Sequence, residues 1–270
     1  MNKNLIKNFF YICIPALIAI TVFFIPSWIQ EIFVLKLNQL NLWSWFTCIF
    51  VHENLPHLVR NLLFYLITII TAYAICPKDY KKSFYKPFLL VLFLTPFISL
   101  IITILIWKVG GILLLYHRGF SGITSASIGI LGFFITKRIC ALWSLKSKKS
   151  LLQMCYFIFL LSLAIMIFNL SKIFSIFIFI FLWILIIFSL SSILKKEKIM
   201  LDDSKWNKKE FAIIVISLGI FLFSILLLIP EKIVNESGSA VNAIAHLTGF
   251  IVGFWTYFVW DILSNNNQNP

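Results

Sequence analysis

Apolar residues fall into eight long blocks separated by short polar segments, at roughly 9–29, 58–76, 88–107, 120–136, 151–168, 173–194, 211–229 and 241–260. A helix needs about 20 apolar residues to cross the hydrocarbon of a bilayer. A lipid-exposed backbone must also satisfy its own hydrogen bonds, so each block predicts a transmembrane helix. The stretch 151–194 is too long for one crossing and has basic segments on both sides, so it predicts a hairpin of two spans joined at Asn169–Lys172. The segment at about 30–57, "QEIFVLKLNQLNLWSWFTCIFVHENLPH", is half apolar. It suits neither a span nor a free loop, and predicts an amphipathic element in the interface with Trp43 and Trp45 at headgroup level.

Composition agrees with this pattern. Hydrophobic residues make up 61% of the 270 positions, mean hydropathy is +0.98 and charged residues are 12%. A soluble domain cannot bury that much apolar surface. The expected fold class is therefore all-α, a polytopic transmembrane helix bundle of about eight spans forming a single integral membrane domain over 1–270. The N-terminal run after Lys3 and Lys7 is long and lacks a small-residue cleavage site, which makes it the first span rather than a removed leader.

The net charge of +13 brings nucleic acid to mind, but its placement excludes that use. With the N-terminus inside and the chain alternating, seventeen Lys and Arg residues fall in inner segments and six in outer ones. This is the positive-inside bias, so both termini are expected in the cytoplasm of a cell-membrane protein. The five cysteines, Cys13, Cys48, Cys76, Cys140 and Cys155, are scattered without metal-ligand spacing, and neither metal nor cofactor is expected.

Candidate chemistry gathers at the outer ends of three spans. "RGFSG", residues 118–122, places Ser121 where the fourth span begins. His246, in "AIAHLTGFIVGFW", lies inside the last span near its outer end. An ionisable residue within a span points to function. Gly249 and Gly253 follow His246 on its own helix face, and Gly122, Ala126 and Gly129 give the serine helix a small-residue face. Two such faces allow close backbone approach. That would bring His246 within reach of the Ser121 hydroxyl, as a nucleophile and its base require. Asp261, the one acid on the His246 helix, is fifteen residues further on, about 22 Å along the axis. The expected arrangement is thus a Ser–His dyad without a carboxylate. In "HLVRN", at the start of the second span, His57 and Asn61 share a helix face and supply donors suited to an oxyanion. His117 reads as a solvated loop residue, and His52 as a lesser candidate for a place near the site.

These residues resemble the rhomboid family of intramembrane serine proteases. The resemblance rests on H-x-x-x-N at His57 and Asn61, G-x-S-G at Gly119, Ser121 and Gly122, and H-x-x-G-x-x-x-G at His246, Gly249 and Gly253, in family order. It covers 30–139 and 211–260, with 140–210 left to the hairpin and inner loops. It implies Ser121 as nucleophile, His246 as base, and His57 and Asn61 as oxyanion donors beside backbone amides at the serine. The implied substrates are transmembrane segments of other proteins, cut near the outer leaflet, with the lipid bilayer as the other partner. Three departures stand out. Trp45-Phe46 lacks the arginine of the family's Trp-Arg, Ser125 occupies a position that is often aromatic, and three spans rather than one separate the serine and histidine helices. The alternative is a rhomboid-like pseudoprotease that binds transmembrane clients without cutting. A small transporter is the third possibility, but its usual polar or broken helices at the midplane are missing from these span centres.

Overall fold

The structure, a computed structural model, describes residues 3–36, 41, 43–110, 116–117, 119–142, 152, 154–155, 208–228 and 243–266. They are mostly helical. In chain order the elements are α1 (Lys3–Phe24), α2 (Ser27–Phe33), β1 (Leu35–Lys36), α3 (Ser44–Thr47) with a 3₁₀ turn at Cys48–Phe50, α4 (Leu55–Ile75), α5 (Lys78–Lys81), α6 (Tyr85–Gly110), β2 (Tyr116–His117), α7 (Ser121–Leu142), α8 (Lys208–Leu228) and α9 (Ala243–Asn266). Among the described residues, six helices are long and apolar enough to cross a membrane: Ile6–Phe24, Leu55–Ile75, Tyr85–Leu105, Ser121–Ala141, Lys209–Leu226 and Ala245–Ser264. The protein is an integral, multi-pass membrane protein. The two spans expected over 151–168 and 173–194 lie outside the described residues, apart from helical positions at 152, 154 and 155.

The chain forms two compact units, 1–130 with 233–270, and 131–232. In the second, Arg138 near the end of α7 pairs with Glu210 in the first turn of α8, Nη1 to Oε2 at 3.0 Å. The first unit holds the candidate site, and its core is aromatic: Tyr65, Phe84, Phe88, Phe120, Phe250, Phe254 and Tyr257 are fully buried. Large apolar side chains on the outer faces of its helices are exposed, Val59, Leu63, Ile67 and Ile70 on α4 among them. Such a stripe is costly in water but is the ordinary outer surface of a helix in lipid.

Contacts along the helices fix their directions. Thr124 Oγ1 on α7 donates to the Asn61 carbonyl at 3.1 Å, and further along the Thr68 and Ser127 hydroxyls meet at 2.5 Å, so α4 and α7 run parallel. Gly122 lies against Ala245, Ala126 against Gly253, and Gly129 against Phe250 and Phe254, so α7 and α9 run parallel too. α6 runs the opposite way, with Phe84 at its start accepting a 2.8 Å hydrogen bond from Tyr257 OH, and Thr95 reaching Gly122.

Two local features differ from the expected pattern. The first apolar block runs to residue 29, yet α1 stops at Phe24, because Pro26 cannot continue a helix and α2 starts afresh at Ser27. The outer segment, expected as an amphipathic element, is built of short pieces: the end of α2, then β1 and α3, and β1 pairs antiparallel with β2, Leu35 opposite His117. Trp43 is exposed and its indole nitrogen donates to the Ile32 carbonyl at 3.3 Å. Trp45 turns inward instead, edge-on to Phe97 of α6 with ring centroids 6.0 Å apart.

Candidate active site

Ser121 is the first residue of α7 and is buried. The turn that delivers it depends on Gly119, whose φ of +118° suits glycine alone. The Gly119 N–H donates to the Cys48 carbonyl at 3.0 Å, tying this turn to the 3₁₀ segment. A side chain at Gly119 would also meet the His57 ring, with Cε1 3.4 Å from a Cβ placed there. From Ser121 on, the first-turn N–H groups of α7 have no partner within the helix, which makes this end a place for developing negative charge. Every residue from Ser121 to Ile130 is buried, so the serine helix runs through the middle of its unit.

His246 is buried in the first turns of α9. Its neighbour Ala245 touches the residue after Ser121: a methyl on Gly122 would sit 3.5 Å from the Ala245 carbonyl oxygen and 3.8 Å from its Cβ. At Gly249 and Gly253 the backbones are closer still. A methyl on Gly249 would overlap the Gly122 carbonyl oxygen, and one on Gly253 would overlap that of Ala126. Ser121 and His246 therefore flank a contact in which two parallel helices touch backbone to backbone at their N-terminal ends. Asp261 is buried at the far end of α9, away from this contact. Ser125 packs under it, with Cβ 3.2 Å from a methyl placed on Gly249. The hydroxyls of Ser125, Thr95 and Ser99 are buried without a hydrogen-bond partner among the described residues.

α4 brings the other two residues to the same end. Asn54 caps it, its Oδ1 accepting from the His57 N–H at 2.9 Å, and Pro56 fits the first turn, where its missing N–H costs nothing. His57 then stands beside Gly119, and Asn61, one turn on, is buried.

His52 is more central than its place in the sequence indicates. It is 3% exposed. Its Nδ1 lies 3.2 Å from the Phe50 carbonyl, which can only accept, so that nitrogen carries the proton. Nε2 is then an acceptor, and two donors face it: the Phe120 N–H at 3.3 Å and Asn61 Nδ2 at 3.4 Å. The rings of His52 and His57 meet edge to face, centroids 5.4 Å apart. No periodicity or motif marks His52, because its partners come from residues 9 and 68 positions away. His117, read as a solvated loop residue, lies in β2.

Family models, curated proteins and solved structures offer no match to this chain.

Burial first, and then the neighbouring His57, push the His52 imidazole down to about 4, against the opposing pull of the Phe50 carbonyl. An unfolded chain protonates the same ring near ~6.5. Between the two values the unfolded state binds more protons, so this group's contribution to stability is complete above ~6.5. It falls as pH drops through the window and changes no further below about 4. The amount is on the order of 3 kcal/mol. Thermal melts in detergent from pH 7 to pH 4 should show a decline that His52→Gln flattens. An equal decline in the variant would assign the acid sensitivity elsewhere.

Proposed function

We propose that the protein is an intramembrane serine endopeptidase of rhomboid type, cutting transmembrane segments of other proteins with a Ser121–His246 dyad. The observation that carries the reading is the backbone contact between α7 and α9 at Gly122, Ala245 and Gly249, with Ser121 and His246 beside it. Small residues at such a crossing remove the side chains that would hold a nucleophile and its base apart.

In this reading His246 takes the Ser121 proton as Oγ attacks the scissile carbonyl, then returns it to the leaving amine. The charge on the carbonyl oxygen falls to the first-turn N–H groups of α7 and to His57 and Asn61 on the parallel helix. The acyl-enzyme is hydrolysed by water entering from the outer face. The test is covalent. A fluorophosphonate should label the purified protein once, and peptide mapping should put the adduct on Ser121. An unlabelled protein, or an adduct on another serine, would refute the proposal.

His57→Ala and Asn61→Ala should each slow turnover by roughly 10²–10³-fold while leaving substrate binding near its parent value, since each removes one donor to the developing charge. Their combined loss should fall short of the product of the two, because both act on one oxygen. The readout is turnover per folded molecule beside a thermal melt. Normal turnover with earlier melting in both variants would reduce "HLVRN" to a packing motif.

The orientation belongs to the same proposal: both termini cytoplasmic, and the dyad open to the outer side of the cell membrane. A single cysteine at position 236, in place of Glu236 in a cysteine-free background, should react with an impermeant thiol reagent on intact cells. One replacing Ser204 should react only after permeabilisation. The reverse pattern would turn the site toward the cytoplasm.

A further inference from the structure

Asn61 has a carboxamide whose two ends are nearly the same size, so packing alone does not decide which end faces the site. A neighbour must decide it, by being only a donor or only an acceptor. With its proton held on Nδ1 by the Phe50 carbonyl, His52 presents only a lone pair at Nε2. That lone pair faces the Asn61 nitrogen and the N–H of Phe120, the residue before Ser121. We propose that His52 is a positioning residue: its Nε2 binds the amino end of Asn61 and the Phe120 N–H together, setting both the oxyanion donor and the backbone that leads into the nucleophile.

This rests on the proteolytic reading of the same site. Asn61 Nδ2 carries two hydrogens. His52 takes one, and the second is the one free to meet a developing oxyanion. The Phe120 N–H is likewise committed, which leaves the backbone donors from Ser121 onward for that charge. A protonated His52 would turn Nε2 from acceptor to donor, set it against the Phe120 N–H, and draw the carbonyl end of Asn61 toward itself. The titratable group facing the ring is His57 from α4. Cys48 and Glu53 lie on His52's own segment.

The experiment compares His52→Ala, His52→Gln, Asn61→Ala and the double variant His52→Ala/Asn61→Ala, each purified in detergent and assayed with a transmembrane substrate. Glutamine places a carbonyl oxygen near the position of Nε2, so it can accept from the same two donors. Expected results are a ten- to hundredfold lower kcat with unchanged KM in His52→Ala, recovery of most of that loss in His52→Gln, and a smaller further loss from His52→Ala once Asn61 is alanine, the remainder being the share carried through the Phe120 N–H. Parent-like kcat in folded His52→Ala, or a loss that multiplies fully with that of Asn61→Ala, would overturn the proposal.

A second arm needs no turnover and separates this inference from the reading it rests on. Nitrogen-15 NMR of histidine-labelled protein, assigned by the signal lost in His52→Gln, should show a neutral ring protonated at Nδ1 at pH 7 and still neutral at pH 5. In asparagine-labelled protein, the Asn61 side-chain amide signals, assigned by their loss in Asn61→Ala, should shift in either His52 variant. A proton on Nε2 at pH 7, or Asn61 signals that ignore both substitutions, would overturn the positioning role. Failure of fluorophosphonate labelling in the parent protein would instead overturn the proteolytic reading, and the NMR result would still decide whether His52 holds Asn61.

Discussion

Ser121→Ala should insert and fold as the parent does and cleave nothing. Alanine suits the first turn of α7 at a buried position, so the loss is of chemistry alone. Removing the nucleophile from a serine protease costs roughly 10⁶-fold in kcat, far more than any one oxyanion donor. His246→Ala should cost about as much and should also abolish fluorophosphonate labelling, because Ser121 would have lost its base. In the proposed dyad the pair act as one unit, so the double variant should be no slower than either single one. Turnover of a transmembrane substrate by purified, folded variants decides it. Cleavage that survives in Ser121→Ala would remove this residue from the mechanism. Strong labelling in His246→Ala would show that another group activates the serine.

The second large effect is structural. Gly249→Ala puts a methyl where the Gly122 carbonyl oxygen already sits. The obstacle is backbone, not the end of a flexible side chain, so α7 and α9 must part. Overpacking a well-packed core typically costs about 1–3 kcal/mol, and a backbone clash belongs at or above the top of that range. Gly249→Ala should therefore lower the melting temperature sharply. It should also reduce turnover in whatever folded protein remains, because it separates the helices that carry Ser121 and His246. Gly253→Ala, one turn further on, should behave in the same way. Gly219 gives the control: a methyl there meets nothing within 4 Å, and alanine is the better helix former by about 1 kcal/mol. Gly219→Ala should melt no earlier than the parent. Parent-like stability in Gly249→Ala would mean that the two helices are not in backbone contact.

Much of this architecture can be read from the chain because lipid leaves few choices. Apolar blocks of spanning length have to be helices, and six of the eight expected spans correspond to described helices of spanning length. The spacing of Gly249 and Gly253 after His246 expresses close helix approach in the chain itself, since only small side chains permit it. The outer segment was harder to read. Two-residue strands are too short to show a period of two, so the pairing of Leu35 and Lys36 with Tyr116 and His117 leaves no local trace. Trp45 has the composition of an interfacial anchor, but Phe97 offers its ring an aromatic partner on α6. His52 was the least legible, because what defines it is a lone pair facing donors from two distant parts of the chain. The mutual placement of Ser121, His246, His57 and Asn61 has the same character. Motifs name the residues, and tertiary contacts alone bring Gly119 to His57 and Gly122 to Ala245.

The crossing of α7 with α9 also sets a schedule for biosynthesis. Ser121 and His246 are 125 residues apart, on helices that leave the ribosome at different times. At a synthesis rate of about 5–20 residues per second, the serine helix waits roughly 6–25 s for its partner. During that interval a chain already in the membrane carries a hydroxyl with no base beside it. On the proposed proteolytic reading, a chain assembled in this order is inert while nascent, and a message truncated before codon 246 yields a protein that cannot cut its neighbours.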